Sequence, residues 1–248
     1  MTAVGFDRVA SSYQTLWSGA PAGEMQRQAV WRCIEPLFPP GSGVLDVGCG
    51  TGDDAVALQS RGVQVTGIDA SPEMVRIARE RGVHASVCRA EHLSDVQGSF
   101  DGVLSNFGAL NCVQDLAVLR EPLARMTRRD GWLAICVMSR FCAWETFWYL
   151  LRGDLTRATR RWSSETSSTL AQRVFYPTVA SVRRAFAPDF TLQSWHGVGL
   201  AVPPSYVTGI SAKAVRRLAN LDRRAASFPF LRALSDHRLL LFRKAPPC

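Results

Sequence analysis

The residues best equipped for chemistry lie in Val44-Leu45-Asp46-Val47-Gly48-Cys49-Gly50-Thr51-Gly52. Glycines at the tip of a strand permit a tight turn and let backbone approach a ligand, because no Cβ intervenes. The turn reads GxGxG, so its third glycine is out of place for a dinucleotide fingerprint. Asp53-Asp54 open the next helix, where carboxylates are favourable but repel a pyrophosphate. The loop therefore suits a ligand with a positive amine and a sulfonium better than one with two phosphates. Asp69 closes Val65-Thr66-Gly67-Ile68-Asp69, 21 residues after Gly48. A carboxylate there can accept both hydroxyls of a ribose. Its plainer use is to cap the helix that follows, although Ser71 can do that itself.

Other reactive side chains are scattered. The histidines stand at 84, 92, 196 and 237, and no pair has the spacing of a metal site, so no metal is expected. Seven cysteines, Cys248 among them, include no CxxC pair, which argues against a zinc site or a disulfide framework. His196 follows the sixth strand and Tyr176 lies in a variable segment; these two are the candidate catalytic residues. The plainer reading of His196 is a polar residue at a strand edge. Phe141-Cys142-Ala143-Trp144-Glu145-Thr146-Phe147-Trp148-Tyr149-Leu150-Leu151 is rich in aromatics. Core packing is one reading, and an aromatic lid over an apolar or planar substrate is another. A third uses Arg152, Arg157, Arg160 and Arg161 for weak peripheral contact with a membrane, against which Asp154 and Glu145 weigh.

The elements that must position these residues alternate regularly. Residues 1–40 read as helical and end at Pro39-Pro40-Gly41. Strands are expected at Val44–Val47, Val63–Ile68, Val83–Cys88, Phe100–Ser105 and Trp132–Met138. Helices are expected at Asp53–Arg61, Ser71–Arg81 and Val113–Arg128. That rhythm implies βαβ units in a parallel sheet. Beyond Arg140 it breaks: Phe141–Trp162 reads as helix, Asp189–Trp195 and His237–Phe242 as strands, and Ser211–Arg224 as helix. One domain is expected, with 1–40 a helical cap, 41–140 the core, 141–188 a lid insertion and 189–248 the last two strands with a helical insertion.

Leu45–Gly52, Gly67–Met74 and Phe100–Asn106, with the opening Phe6-Asp7-Arg8-Val9-Ala10-Ser11-Ser12-Tyr13, resemble the motifs of class I S-adenosylmethionine (SAM)-dependent methyltransferases of the small-molecule type. The resemblance covers about residues 5–140. It implies a Rossmann-like α/β fold of seven mostly parallel strands, the last antiparallel. It also implies SAM as methyl donor, S-adenosylhomocysteine as product and a small-molecule acceptor. By position, Asp46, Gly48, Cys49 and Gly50 would line the methionine part of SAM. Asp69 would hold the ribose, while Ala70, Met74, Ala90 and Glu91 would lie near the adenine. Asn106 and Phe107 would flank the sulfonium, and Tyr13 would close the pocket. Members often carry an aspartate where this chain has Arg89, so the adenine amine needs Glu91 or a backbone carbonyl instead. The acceptor is expected among Asn111, Trp144, Trp148, Tyr176, His196 and Tyr206, and to be largely apolar or aromatic. Its methylated atom, oxygen, nitrogen or carbon, stays open.

Composition sets outer bounds. The chain has 248 residues, of which 47% are hydrophobic, enough for one sizeable core. A net charge of +8 is carried almost wholly by arginine, in keeping with a GC-rich bacterial source, and a solvated surface is its simplest reading. No Asn-Pro-Pro-Tyr type motif follows the fourth strand, so a nucleic-acid substrate is not expected. RNA methylation is a weaker alternative, as is a relative that uses the same fold for cyclisation or rearrangement. No membrane-spanning run and no leader-like opening occur, which makes a cytoplasmic location the default expectation. Oligomeric state is not encoded in any feature read here.

Overall fold

Valine, leucine and isoleucine at both parities of the inner strands call for a sheet covered on both faces. The computed structural model describes residues 4–13, 17, 19–167, 173–207, 209–225 and 228–246, so Cys248 lies outside it. In chain order the strands are β1 (Gly43–Val47), β2 (Gln64–Asp69), β3 (His84–Val87), β4 (Phe100–Ser105) and β5 (Thr127–Met138). A short antiparallel pair follows, β6 (Glu165–Ser167) with β7 (Arg173–Phe175), and then β8 (Phe190–Val198) and β9 (His237–Lys244). The main sheet has seven strands in the order β3-β2-β1-β4-β5-β9-β8. Strands β1 to β5 pair in parallel, and β9 runs antiparallel to both β5 and β8.

The helices are α1 (Val4–Asp7), α2 (Ala10–Tyr13), α3 (Pro21–Ile34), α4 (Asp53–Gln59), α5 (Pro72–Glu80), α6 (Arg120–Met126), α7 (Ala143–Leu150), α8 (Leu155–Thr159), α9 (Val179–Phe186) and α10 (Ala212–Ala225). Period-two alternation divides the strand residues between two cores. Leu45, Val47, Leu240 and Phe242 face Leu123 and Met126 of α6 and Val182 and Phe186 of α9. Val44, Leu239 and Leu241 face Val30 and Ile34 of α3, Leu58 of α4 and Ala78 of α5. Val215 of α10 packs with Ala22 of α3 and Val202.

Three expectations change. The helix foreseen over 113–128 is regular only in α6, because Asp115 takes the Ala117 N–H and starts a separate 3-10 turn. The single helix foreseen over 141–162 breaks at Gly153 (φ 71°), and Asp154 caps α8 by accepting from Arg157 N. The segment 141–188 is not all lid, since α9 joins the core through fully buried Val182 and Phe186. Among the described residues no helix is long and apolar enough to cross a membrane.

Candidate active site

Parallel strands bring their C-terminal ends together, so the loops after β1, β2 and β4 converge. They open on a cavity of about 350 Å³. Gly48 (φ 76°) and Gly50 (φ 54°) both hold left-handed backbone. A Cβ on Gly48 would lie 2.2 Å from the Ala109 Cβ, whereas one on Gly50 meets nothing within 4 Å. Packing therefore demands Gly48, and access to the cavity that it lines demands Gly50. Asp69 ties the loops together: its Oδ2 accepts from Gly50 N at 2.9 Å and its Oδ1 from Ser71 N at 2.8 Å. Burial raises its pKa against those two hydrogen bonds. Each oxygen keeps acceptor capacity for a ribose hydroxyl. Ser71, not Asp69, caps α5, with its Oγ accepting from Met74 N at 3.2 Å. Asp7 of α1 in turn accepts from Ser71 Oγ, and from Glu73 N at 3.3 Å. That clamp fastens the N-terminal cap to the cavity rim.

Asp46 is 1% exposed, and its Oδ2 has no hydrogen-bond partner among the described residues. Burial first, and the charge of Asp54 next, push its pKa well above the carboxylate range. A buried acceptor in that state is stabilised by a cationic donor. Asp53 and Asp54 behave differently from the sequence-based expectation. Arg27 Nη1 donates to Asp54 Oδ2 at 2.6 Å, Trp31 Nε1 to Asp54 Oδ1 at 2.7 Å, and Arg81 Nη1 to Asp53 Oδ1 at 2.6 Å. These carboxylates are neutralised in place, so they do not exclude a pyrophosphate; preference for an amine rests on Asp46. Asn106 adds a buried Nδ2 without a partner, while its Oδ1 accepts from Phe107 N at 3.0 Å. Phe107 itself is held at φ 45°, an unusual conformation for a bulky residue. Its ring lies 4.9 Å from the Arg27 guanidinium and edge-on to His237 at 5.2 Å.

The cavity lining also carries the apolar side chains Cys112, Val113, Met138, Val174 and Pro204. A buried ionic network borders the cavity at Arg161, Tyr206 and Asp236. Glu145 of α7 accepts from Arg160 Nε at 2.7 Å, from Arg161 Nη2 at 2.7 Å and from the Tyr206 hydroxyl. Burial pushes the Glu145 pKa up, but both arginines overcome that and hold it below its usual value. Arg161 continues to Asp236, with Nη1 2.9 Å from Oδ1. Asp236 Oδ2 lies 3.3 Å from His237 Nδ1, and His237 lines the cavity.

Residues 44–131 match the family model described as a methyltransferase domain. That segment, about a third of the chain and running from β1 into β5, resembles a methyltransferase domain, and the fold as a whole is that of solved SAM-dependent methyltransferases. That fold superposes along most of the chain on solved methyltransferase structures. The CcbJ methyltransferase of Streptomyces caelestis gives a TM-score of 0.64 at 15% identity, covering 98% of each chain. A SAM-dependent methyltransferase of Mesorhizobium loti gives 0.59 at 18% identity, covering 89% of this chain and 98% of the other. Among curated proteins, a ubiquinone biosynthesis O-methyltransferase of Xanthomonas campestris is 39% identical over 88 residues, 34% of this chain and 36% of that protein. A demethylmenaquinone methyltransferase of a Mycobacterium species is 34% identical over 137 residues, 54% and 58% of the two. The chain thus matches roughly half or less of the length of these relatives.

Most residues expected at the cofactor line the cavity: Tyr13, Gly48, Gly50, Asp69, Ala70, Met74, Ala90, Glu91, Asn106 and Phe107. Glu91 pairs with Arg89 at 3.2 Å, so the unexpected arginine is matched by its own neighbour. Asp46 sits just behind the lining. Cys49 turns away, its Sγ packed where a Gly67 side chain would be. The acceptor list fares differently. Tyr206 lines the cavity, but Asn111, Trp144, Trp148, Tyr176 and His196 do not. Asn111 is spent on the backbone, its Oδ1 accepting from Met138 N at 2.9 Å. Trp144 donates to Ala201 O at 2.8 Å, and Trp148 stacks 3.4 Å beneath Arg152. The inner face of α7 carries Glu145 instead of an aromatic, which is why the expected aromatic lid faces elsewhere. Tyr176 is buried behind Arg161, 5.8 Å from its guanidinium. His196 is half-buried on β8 beside Ser194, its pKa lowered by burial and then by Arg232. Sequence reasoning gave no site role to Arg27, Asp236 or His237, and read Arg161 only as a possible membrane contact. The adjacent pair Asp236-His237 at a strand start was the available signal.

Proposed function

We propose that this protein binds SAM and transfers its methyl group to a small molecule with a broad apolar face. One observation carries the reading: a single cavity is lined by Gly48, Gly50, Asp69, Asn106 and Phe107 together with the apolar Cys112, Val113, Met138, Val174 and Pro204, and buried Asp46 stands two residues along the chain from its Gly48 wall. The polar part of that lining fits SAM by its donors and acceptors. Asp46 is the acceptor for an ammonium, Asp69 for ribose hydroxyls, and the backbone at Gly50 admits the ligand. SAM supplies an electrophilic methyl already activated by its sulfonium. The chain's work is then to hold the acceptor in line with that methyl at about 3 Å and to exclude water. Phe107, on the cavity lining, would shield the positive centre with its ring. The relatives named for ubiquinone biosynthesis and demethylmenaquinone methylation support an acceptor of that general kind.

The test is direct. Calorimetry should show SAM and S-adenosylhomocysteine binding and NAD not binding. Incubation with SAM and simple apolar aromatic acceptors should release S-adenosylhomocysteine. Binding of NAD in place of SAM would overturn the assignment of the polar part of the lining; SAM binding without transfer to any apolar acceptor would overturn that of its apolar part.

A further inference from the structure

Resting on that reading, we infer that His237 is the proton acceptor of the reaction, oriented by Asp236, and that the methylated atom is therefore a phenolic or enolic hydroxyl oxygen. His237 is the one histidine of four that lines the cavity among the described residues. Its Nδ1 is buried and lies 3.3 Å from Asp236 Oδ2, near enough to pair but without hydrogen-bond alignment, which leaves Nε2 as the nitrogen available to the cavity. The Phe107 ring meets the imidazole edge-on, so the base stands on the cavity wall beside Phe107. Such contacts are often long without substrate and tighten when it binds.

Asp236 is built to stay charged and still. Arg161 Nη1 is 2.9 Å from its Oδ1, Gln26 Nε2 donates to its Oδ2 at 3.4 Å, and its backbone N–H donates to Gly199 O at 3.1 Å. Burial alone would raise the Asp236 pKa; His237 and Arg161 hold it far below the usual range. A charged, immobile Asp236 favours the tautomer with the proton on Nδ1 and a bare Nε2. The other charged or titratable groups around the pair are Arg161 from the turn after α8, Glu145 on α7, Tyr206 in the loop before α10, and Arg27 on α3 across Phe107. Arg161 has its donors committed to Glu145 and Asp236, so it does not compete for the acceptor.

A base so placed serves an acceptor that must lose a proton. A neutral aromatic amine needs none before attack, whereas a phenol or enol does. The hydroxyl proton passes to His237 Nε2 as the oxygen lone pair forms the O–CH3 bond. The S–CH3 bond breaks, its electrons stay on sulfur, and the neutral thioether leaves. The imidazolium then returns its proton to solvent. A cavity with apolar side chains and one base on its wall fits a phenol or enol, acidic enough for an imidazole, better than a sugar alcohol.

The first measurement is nitrogen-detected NMR of the S-adenosylhomocysteine complex. His237 should show the Nδ1–H tautomer in the wild type and lose that preference in Asp236→Asn. An Nε2–H tautomer in the wild type would overturn the inference. The second compares 2-naphthol with 2-naphthylamine as acceptors, read as S-adenosylhomocysteine release from pH 5.5 to 9. Methylation of naphthol should fall at least 100-fold in His237→Gln with SAM affinity unchanged within about twofold. In Asp236→Asn it should fall about tenfold or more, with the acid limb of the pH profile displaced. Transfer to the amine but not the hydroxyl, or an unaltered pH profile in both variants, would sink the proposal while leaving methyl transfer standing. SAM binding with no transfer to either compound would overturn both readings together.

Discussion

Asp69 and Asp46 are both carboxylates assigned to SAM in the proposed function, yet their surroundings give them different work. Asp69 already satisfies two backbone N–H groups, so Asp69→Ala removes a ribose acceptor and also unties Gly50 from Ser71. We expect SAM binding to weaken by about 1.5–3 kcal/mol, the range for charge-assisted hydrogen bonds, as measured by calorimetry. Unchanged affinity would remove Asp69 from the site. Asp46 is instead strained by burial, and its raised pKa means that it binds a proton more readily than an exposed aspartate. A cationic amine favours the ionised form, so SAM binding should release that proton. Affinity should therefore rise with pH up to the folded pKa and level off above it. Calorimetry in two buffers of different ionisation enthalpy should register the release; identical heats across pH 5 to 8 would refute it. Asp69 was legible because glycine loop and carboxylate keep a fixed spacing. Arg27 was not, because only the folded chain brings α3 over the start of α4, where Arg27 neutralises the Asp54 that the sequence showed bare.

Loops and helices carry these residues, and their own constraints can be separated by substitution. Gly50→Val places a side chain in open cavity at φ 54°, so we expect a folded protein that has lost SAM binding. Gly48→Val collides with the Ala109 Cβ and should destabilise the fold itself, by about 1–3 kcal/mol or more. Circular dichroism and urea titration beside SAM calorimetry distinguish the two. Equal loss of stability in both variants would refute the division. Most strands and helices of residues 41–140 were readable from period and turn chemistry, since the inner strands are short apolar runs between turn signals and the helices are amphipathic; 113–128 is the exception, broken by the Asp115 cap. Residues 141–175 were not. Their aromatic helix matched three patterns, and what decided between them was Glu145, whose partners lie 15, 16 and 61 residues away. Phe147 on the same helix is left 66% exposed as a result.

Across the whole molecule, the Glu145–Arg161–Asp236 network is the main buried electrostatic joint between α7, the turn after α8 and β9. Both carboxylates have folded pKa values below their unfolded ones. Their contribution to stability is therefore present above about pH 4, near the unfolded values, and is lost as pH falls through the folded ones. Glu145→Gln leaves Arg161 short of a partner and should cost about 3–5 kcal/mol at pH 7. In urea titrations the gap from the wild type should narrow in acid below the unfolded pKa, where Glu145 takes up its own proton. A gap constant from pH 7 to pH 3 would show that the loss is steric. The same strand that supplies Asp236's neighbour also completes the sheet, and spatial order there runs against the order of synthesis. Strand β9 follows β8 in the chain yet lies between β8 and β5. On the ribosome, then, β8 emerges with nothing to pair with, and the edge of β5, bearing Ile135 and Val137, stays open until residues 237–244 arrive. An unpaired apolar edge is a template for mispairing. The nascent chain must hold that edge apart from its neighbours on the polysome, and the proposed base is delivered by the very segment that ends the wait.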